Sequence, residues 1–155
     1  MNGQVYDPTG KVFVVPNKPK DWFVYPIQFT TLAQAPSATV NTPASRTFQI
    51  DSASDFYLQQ LTYLTEVDAT TAITVSTFVV PKILIQITDG GSSRNLFNAS
   101  TPLYSVAGDG NHPHKLLHPR LFFRNSSVTI AIENYSTNTT YARVFINLEG
   151  FRIYQ

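Results

Sequence analysis

Apolar and polar residues alternate most clearly between positions 82 and 88. Ile83, Ile85 and Ile87 fall on one side of this alternation, and Leu84, Gln86 and Thr88 fall on the other. A period of two places successive side chains on opposite faces, so the segment predicts a half-buried strand. The turn residues of Asp89-Gly90-Gly91 end it.

Two more strands follow the same pattern near the C-terminus. Val128, Ile130 and Ile132 define the first. The second begins at Tyr141, and its apolar side is formed by Val144, Ile146 and Leu148. Gly150 interrupts the pattern before a last extended stretch over 151–154. The sequence therefore predicts that the C-terminus is part of a sheet.

The middle of the chain also favours strands. Residues 47–50 alternate, and residues 73–80 are rich in β-branched side chains. Residues 56–67 contain Leu and Gln, which suit a helix, but their aromatic and Thr residues favour a strand. No amphipathic helix of 10–15 residues is convincing, and residues 90–97 and 98–121 read as long loops. The pattern predicts an all-β fold, an antiparallel β-sandwich of jelly-roll type or a related barrel.

The first 45 residues differ from the rest, because they hold six of the ten prolines. Proline removes a backbone donor and biases its predecessor toward extended geometry. We expect an extended N-terminal arm and connector over 1–45, followed by a sandwich domain over 46–155. Residues 22–29 are too apolar for a solvated linker, so they are predicted to lie against the body or a neighbouring chain.

Composition narrows the function classes. Charged residues are 14% of the chain and the net charge is +1, which gives no electrostatic reason to expect nucleic-acid binding. Ser, Thr and Asn outnumber the charged residues nearly twofold, a surface suited to contacts with other protein. Cysteine is absent, which excludes disulfides, thiolate zinc sites and Cys nucleophiles. No secretory signal and no membrane-spanning stretch is predicted.

Candidate chemistry is sparse. His112, His114 and His118 are candidate metal ligands, but the preferred interpretation is a proline-bounded loop whose histidines bond to the backbone or a partner, so no metal site is predicted. Asp89 and Asp109 lie in turns and are weak calcium candidates without EF-hand spacing. No nucleophile elbow, phosphate-binding loop or paired acid–base carboxylates is present, so we expect neither an enzyme nor a cofactor. The four Asn-X-Ser/Thr sequons are interpreted as a by-product of composition.

The order of motifs over residues 22–154 resembles that of jelly-roll decoration, or cement, proteins of tailed bacteriophage capsids. The resemblance is carried by the strand at 82–89, the Gly108-Asp-Gly110 turn, Pro119-Arg-Leu-Phe122 and the ending that follows Gly150. It implies a non-enzymatic virion protein on the capsid surface. Its partners would be the major capsid protein and further copies of itself as a dimer or trimer, with no nucleic acid or membrane.

Under this resemblance, an apolar N-terminal segment can lie along a neighbour by strand addition. The predicted partner-binding residues are Val12, Phe13, Val14, Val15, Trp22, Phe23, Tyr25 and Phe29.

Three alternatives stay open. One is another virion part on the same fold, such as a tail, collar or head-fibre base. A second is a carbohydrate-binding module or adhesin that uses Tyr104, Tyr135 and the histidine loop. A third is a glycosylated surface domain of an animal cell or virus, which the sequons suit and the missing signal and cysteines oppose.

Overall fold

The computed structural model describes residues 4–6, 12–14, 20–35, 43–68 and 80–154. Two antiparallel sheets make up the body of the chain, which is an all-β sandwich. Strands β1 (Gln4–Tyr6) and β2 (Val12–Val14) precede it and form a separate antiparallel pair. Among the described residues, the only helix is α1 (Leu103–Val106), a single turn.

The four-stranded sheet has the order β3–β11–β5–β9. Its two long central strands are β5 (Ser54–Val67) and β11 (Tyr141–Tyr154), which pair along nearly their whole length. The edge strands are β3 (Lys20–Leu32) and β9 (His114–Phe122). Thus residues 20–32 of the predicted arm lie in the sheet as strand β3.

The five-stranded sheet has the order β4–β10–β6–β7, with β8 also paired to β6. These strands are β4 (Ala44–Gln49), β6 (Ile83–Asp89), β7 (Arg94–Asn95), β8 (Thr101–Pro102) and β10 (Ser127–Asn134). Burial alternates strictly along β6 and β10, so each strand turns one mostly apolar side inward and one mostly polar side outward.

The core lies between the two sheets. Its largest fully buried side chains come from both of them: Phe29, Phe56, Leu58, Leu61, Phe122 and Tyr141 from one sheet and Ile83, Ile85, Ile87 and Ile130 from the other. The predicted inward sides of β6, β10 and β11 are confirmed, because every residue assigned to them is buried. The strand interpretation of residues 56–67 is also confirmed.

Two predictions were wrong. The predicted loop over 98–121 contains most of β9, an edge position that tolerates Pro119. Lys115 and Arg120 of β9 pair with Gln60 and Leu58 of β5. The four residues between them, 116–119, have only Gln59 opposite, so β9 bulges there. Gly150 does not interrupt β11, which continues to Tyr154 past a register shift. The strand predicted over 73–80 falls mostly outside the described residues.

Candidate functional site

A row of apolar side chains crosses the outer face of the four-stranded sheet. Cross-strand register places Trp22 opposite Phe151, Phe151 opposite Tyr57, and Tyr57 opposite Leu121. Residues directly opposite each other in a sheet point to the same face. The rings of Trp22 and Phe151 meet edge to face, with centroids 5.1 Å apart. We call these four residues the aromatic row; Trp22 is its most exposed member, at 47%.

A second apolar row crosses the same face farther along the strands. Phe145 of β11 lies opposite Leu64 of β5 and Gln28 of β3. Leu64 is 57% exposed, although it is a large aliphatic side chain in a central strand. We call Phe145 and Leu64 the second row. Phe145 lies six positions before Phe151 in β11, which corresponds to roughly 20 Å between the two rows.

Polar side chains fill the space between the two rows and bond to one another. Gln60 Nε2 and Thr62 Oγ1 each donate to one carboxylate oxygen of Glu149, both at 2.6 Å. Asn147 Nδ2 donates to Thr62 Oγ1 at 3.2 Å. The Glu149 carboxylate is therefore held flat in the face by its own neighbours.

The charges of this face balance. Its strand positions carry three basic and three acidic side chains: Lys20, Lys115, Arg143, Asp55, Glu66 and Glu149. Arg143 and Glu66 form an ion pair across β5 and β11, at 2.5 Å. Burial, together with the nearby Asp55 charge, raises the pKa of Tyr57, so its phenol stays neutral near pH 7. The face is thus electrically neutral overall.

Arg152 supports the aromatic row from the inner side of the sheet. Its guanidinium lies 3.3 Å from the centre of the Phe23 ring, a cation–π contact. Arg152 also bonds to the Tyr25 hydroxyl at 3.3 Å and pairs with Asp51 at 3.7 Å. These contacts fix the end of β11 against β3 and hold the register that creates the row.

The outer face of the five-stranded sheet has the opposite character. Thr47 and Thr129 share a hydroxyl hydrogen bond of 2.8 Å, and Thr88 donates to Asn95 at 2.8 Å. Gln86 Nε2 donates to the Phe97 carbonyl at 3.0 Å. These side chains are polar and uncharged, and each takes part in at least one hydrogen bond within the face. The four-stranded sheet therefore carries the candidate interaction surface.

The predicted partner-binding residues are spread over different environments. Val12, Phe13 and Val14 form β2, and Val15 lies outside the described residues. Trp22 is on the outer face. Phe23 and Tyr25 are half-buried on the inner side, and Phe29, at 2% exposure, belongs to the core. Phe29 therefore lies inside the domain and not on its surface.

The histidines are not gathered into a ligand set. All three are exposed, and within the described parts of the chain no group of three or more His, Asp or Glu side chains could hold a metal ion. His112 bonds to Asp109 at 3.2 Å. Asp89, the other calcium candidate, is buried and accepts bonds from Gly91 N and Ser92 Oγ. Its oxygens are used to close a turn.

The Asp109 turn predicts a local pH dependence. The His112 backbone N–H donates to the Asp109 carboxylate at 2.6 Å, and the Asn111 N–H donates to it at 3.0 Å. Both bonds lower the pKa of Asp109, and the bond from the His112 N–H has the larger effect. Burial acts in the opposite direction but does not cancel them. Because the pKa of Asp109 is lower in the folded state than in the unfolded state, its carboxylate stabilises the turn at pH values above the unfolded-state pKa. This stabilisation is lost as the pH falls through the folded-state pKa.

We expect an NMR pH titration of the Asp109 side-chain carbonyl to give a midpoint below the ordinary aspartate value. Asp109→Ala should remove the low-pH change in the amide signals of residues 111 and 112. A normal midpoint for Asp109 would contradict this account of the turn.

Sequence reasoning missed most members of the two rows. Tyr57, Leu64, Phe145 and Phe151 were not among the predicted contact residues. The available signal was that β5 and β11 carry apolar residues on both faces, whereas a strand with one solvated face alternates. Tyr104 and Tyr135, the glycan candidates, are both exposed and lie where β8 and β10 end beside the start of β6.

Comparison with known proteins found no matching family model, no matching curated protein and no matching solved structure. None of the helices in the described residues has the length and apolar character needed to cross a membrane.

Proposed function

We propose that this chain is a non-enzymatic structural protein of a virion, a decoration protein that binds the outer surface of a capsid lattice. The sandwich is proposed to be a jelly roll with an N-terminal arm. The major capsid protein is the proposed partner. Two features of the described residues support this, namely the strand order and the self-paired N-terminal strands.

The strand order suits a jelly roll. The body strands are numbered here from 1 at β3 to 8 at β11, and β7 and β8 share the number 5. The four-stranded sheet then has the order 1-8-3-6, and the five-stranded sheet has the order 2-7-4-5. Two interleaved Greek keys produce that order. Jelly rolls are common in viral capsid proteins and in lectins.

The observation that carries the proposal is the pairing of β1 and β2. Among the described strands, these two pair only with each other, and each is three residues long. A two-stranded ribbon of this size is marginal in water on its own. Strand addition to a neighbouring protein would complete it. The ribbon precedes edge strand β3 in the chain, and the proposal is that it extends from that edge of the sandwich to a neighbour.

A decoration protein of this kind would stabilise a shell by mass action. It binds the assembled lattice and not the free subunits, so it shifts the equilibrium toward the assembled state. A rigid sandwich fits this role because it adds contact area without chemistry, and the ribbon supplies a second point of attachment.

The test is occupancy on purified particles. We expect a copy number equal to the major capsid protein or a simple fraction of it, measured by quantitative mass spectrometry. Deleting residues 1–19 should reduce occupancy at least tenfold while circular dichroism shows an intact sandwich. A control variant, Gln49→Glu, changes one exposed residue of the polar face and should bind fully.

Full occupancy by the truncated chain would refute the role of the ribbon. Tens of copies per particle would assign the chain to a tail, collar or fibre base. Absence from particles would refute a virion role and favour the glycan-binding alternative. That alternative is supported by the aromatic row lying beside the amides of Gln60 and Asn147, a combination that sugars bind. A glycan array would then test it.

A further inference from the structure

We infer that two copies of this chain pack face to face through the outer face of the four-stranded sheet. The aromatic row of one copy would contact the second row of the other. The partner is a second copy of the chain, and this packing does not require a capsid.

Exposed apolar side chains make the face a candidate interface. Trp22 and Leu64 are 47% and 57% exposed, and the other row members are half-buried. Large apolar side chains clustered on the outer face of one sheet, where the outer face of the other sheet is mostly polar, mark a contact surface. Aromatic side chains contribute large contact areas at low entropic cost.

The area of the face matches what a stable dimer needs. Strand β3 has 13 residues, so the sheet is roughly 43 Å long; it is roughly 19 Å wide where β9 pairs with residues 56–61 and roughly 14 Å wide elsewhere. The area is about 700 Å², close to the roughly 800 Å² that each partner of a typical stable interface contributes. Sheets also pack readily face to face at about 10 Å.

Charge makes a second copy the fitting occupant. In a two-fold dimer the same surface meets itself, so a face with net charge would repel its own copy. This face carries three basic and three acidic side chains. Arg143 and Glu66 are already paired, and Glu149 is hydrogen-bonded within the face. Self-association therefore brings together two faces without net charge; the axis places Glu66 over the partner's Asp55, and the Arg143 pairing already neutralises Glu66.

The positions of the two rows define the two-fold axis. An axis parallel to the rows and midway between them places the aromatic row over the partner's second row. Phe151 of one copy then lies over Phe145 of the other, and Tyr57 lies over Leu64. The hydrogen-bonded polar side chains that lie between the two rows then face the same group of the other copy at the centre of the interface. The same contacts occur twice, as an isologous interface requires.

Sedimentation equilibrium of the purified full chain tests the inference. We expect a mass of twice 17.3 kDa at micromolar concentration. Leu64→Glu should weaken the dimer at least tenfold, because a buried unpaired carboxylate would face the aromatic row. The matched control Gln49→Glu adds the same charge to the opposite outer face and should leave the dimer unchanged. Circular dichroism confirms that both variants fold.

Cross-linking tests the axis, since the chain contains no cysteine of its own. A mixture of Tyr57→Cys and Leu64→Cys chains should oxidise to covalent dimers several-fold faster than either chain alone. A monomeric wild-type chain, or a dimer that Leu64→Glu leaves intact, would overturn the interface. Faster cross-linking within either single variant than in the mixture would overturn the proposed axis.

Discussion

Gly150→Ala is expected to destabilise the sandwich by at least about 3 kcal/mol, a large part of the roughly 5–15 kcal/mol that keeps a typical domain folded. A Cβ atom at position 150 would lie 1.8 Å from the Tyr57 carbonyl oxygen and 2.8 Å from its carbonyl carbon. Both are backbone atoms of the neighbouring strand β5, so no side-chain rotation can relieve the clash.

The close approach arises from pairing. Gly150 lies where the register between β11 and β5 shifts, because Gln59 is an extra residue in β5. The bulge brings the β5 backbone against β11. Relieving the clash would separate the two central strands, with a loss of about 1 kcal/mol for each hydrogen bond broken.

Urea denaturation followed by circular dichroism measures this effect. Gly110→Ala is the matched control, since a Cβ at that position meets no heavy atom within 4 Å. It should change the free energy of unfolding by less than about 0.5 kcal/mol. Equal unfolding midpoints for the two variants would show that the sheet can absorb the Cβ, and the account of the bulge would be wrong.

Asn134→Asp should cost about 3–5 kcal/mol at neutral pH. Asn134 is 1% exposed, and its Nδ2 donates to the carbonyls of Leu32, Ala33 and Thr139 at 3.2, 2.9 and 2.8 Å. Its Oδ1 accepts a bond from Ser136 N at 2.9 Å. One amide thus ties the end of β10 to the end of β3 and to the β10–β11 connection. An aspartate would place an anionic oxygen against those carbonyls.

The pH dependence of this variant has a definite sign. Burial against carbonyl groups would raise the folded-state pKa of the new carboxyl above its unfolded value of about 3.9. The destabilisation is therefore largest at pH values above the folded-state pKa of this carboxyl. It shrinks as the pH falls toward the unfolded-state pKa, because protonation restores one donor.

Thermal and urea unfolding at pH 7 and pH 4.5 would separate this effect from a simple packing loss. Asn98→Asp, at an exposed position, makes the same chemical change and should be nearly neutral at both pH values. A loss at Asn134 that does not shrink at pH 4.5 would mean that the amide bonds are not the cause.

Strand alternation predicted β6, β10 and β11 well because each buries one side under the opposite sheet. The inward positions of β6 are Ile83, Ile85 and Ile87, and all are fully buried. Strand β9 was missed because it contains Pro119 and because four of the five β9 residues before that proline are exposed. Its strand geometry comes from pairing with β5 and not from local preference.

The candidate surface was harder to predict than the core. Trp22 and Phe29 were both predicted to contact a partner, yet one is outside and the other is inside the sandwich. Their odd spacing puts them on opposite faces of β3, but alternation alone does not say which face is covered. That choice depends on which sheet packs over β3.

The all-β class, the apolar sides of three strands and the absence of thiol chemistry could all be predicted from composition and local period. The row of Trp22, Tyr57, Leu121 and Phe151 could not, because cross-strand register joins residues up to 129 positions apart. The role of Gly150 also depends on the tertiary structure. The sequence pattern reads this glycine as an interruption, whereas the bulge in a distant strand makes it the residue that lets β11 continue.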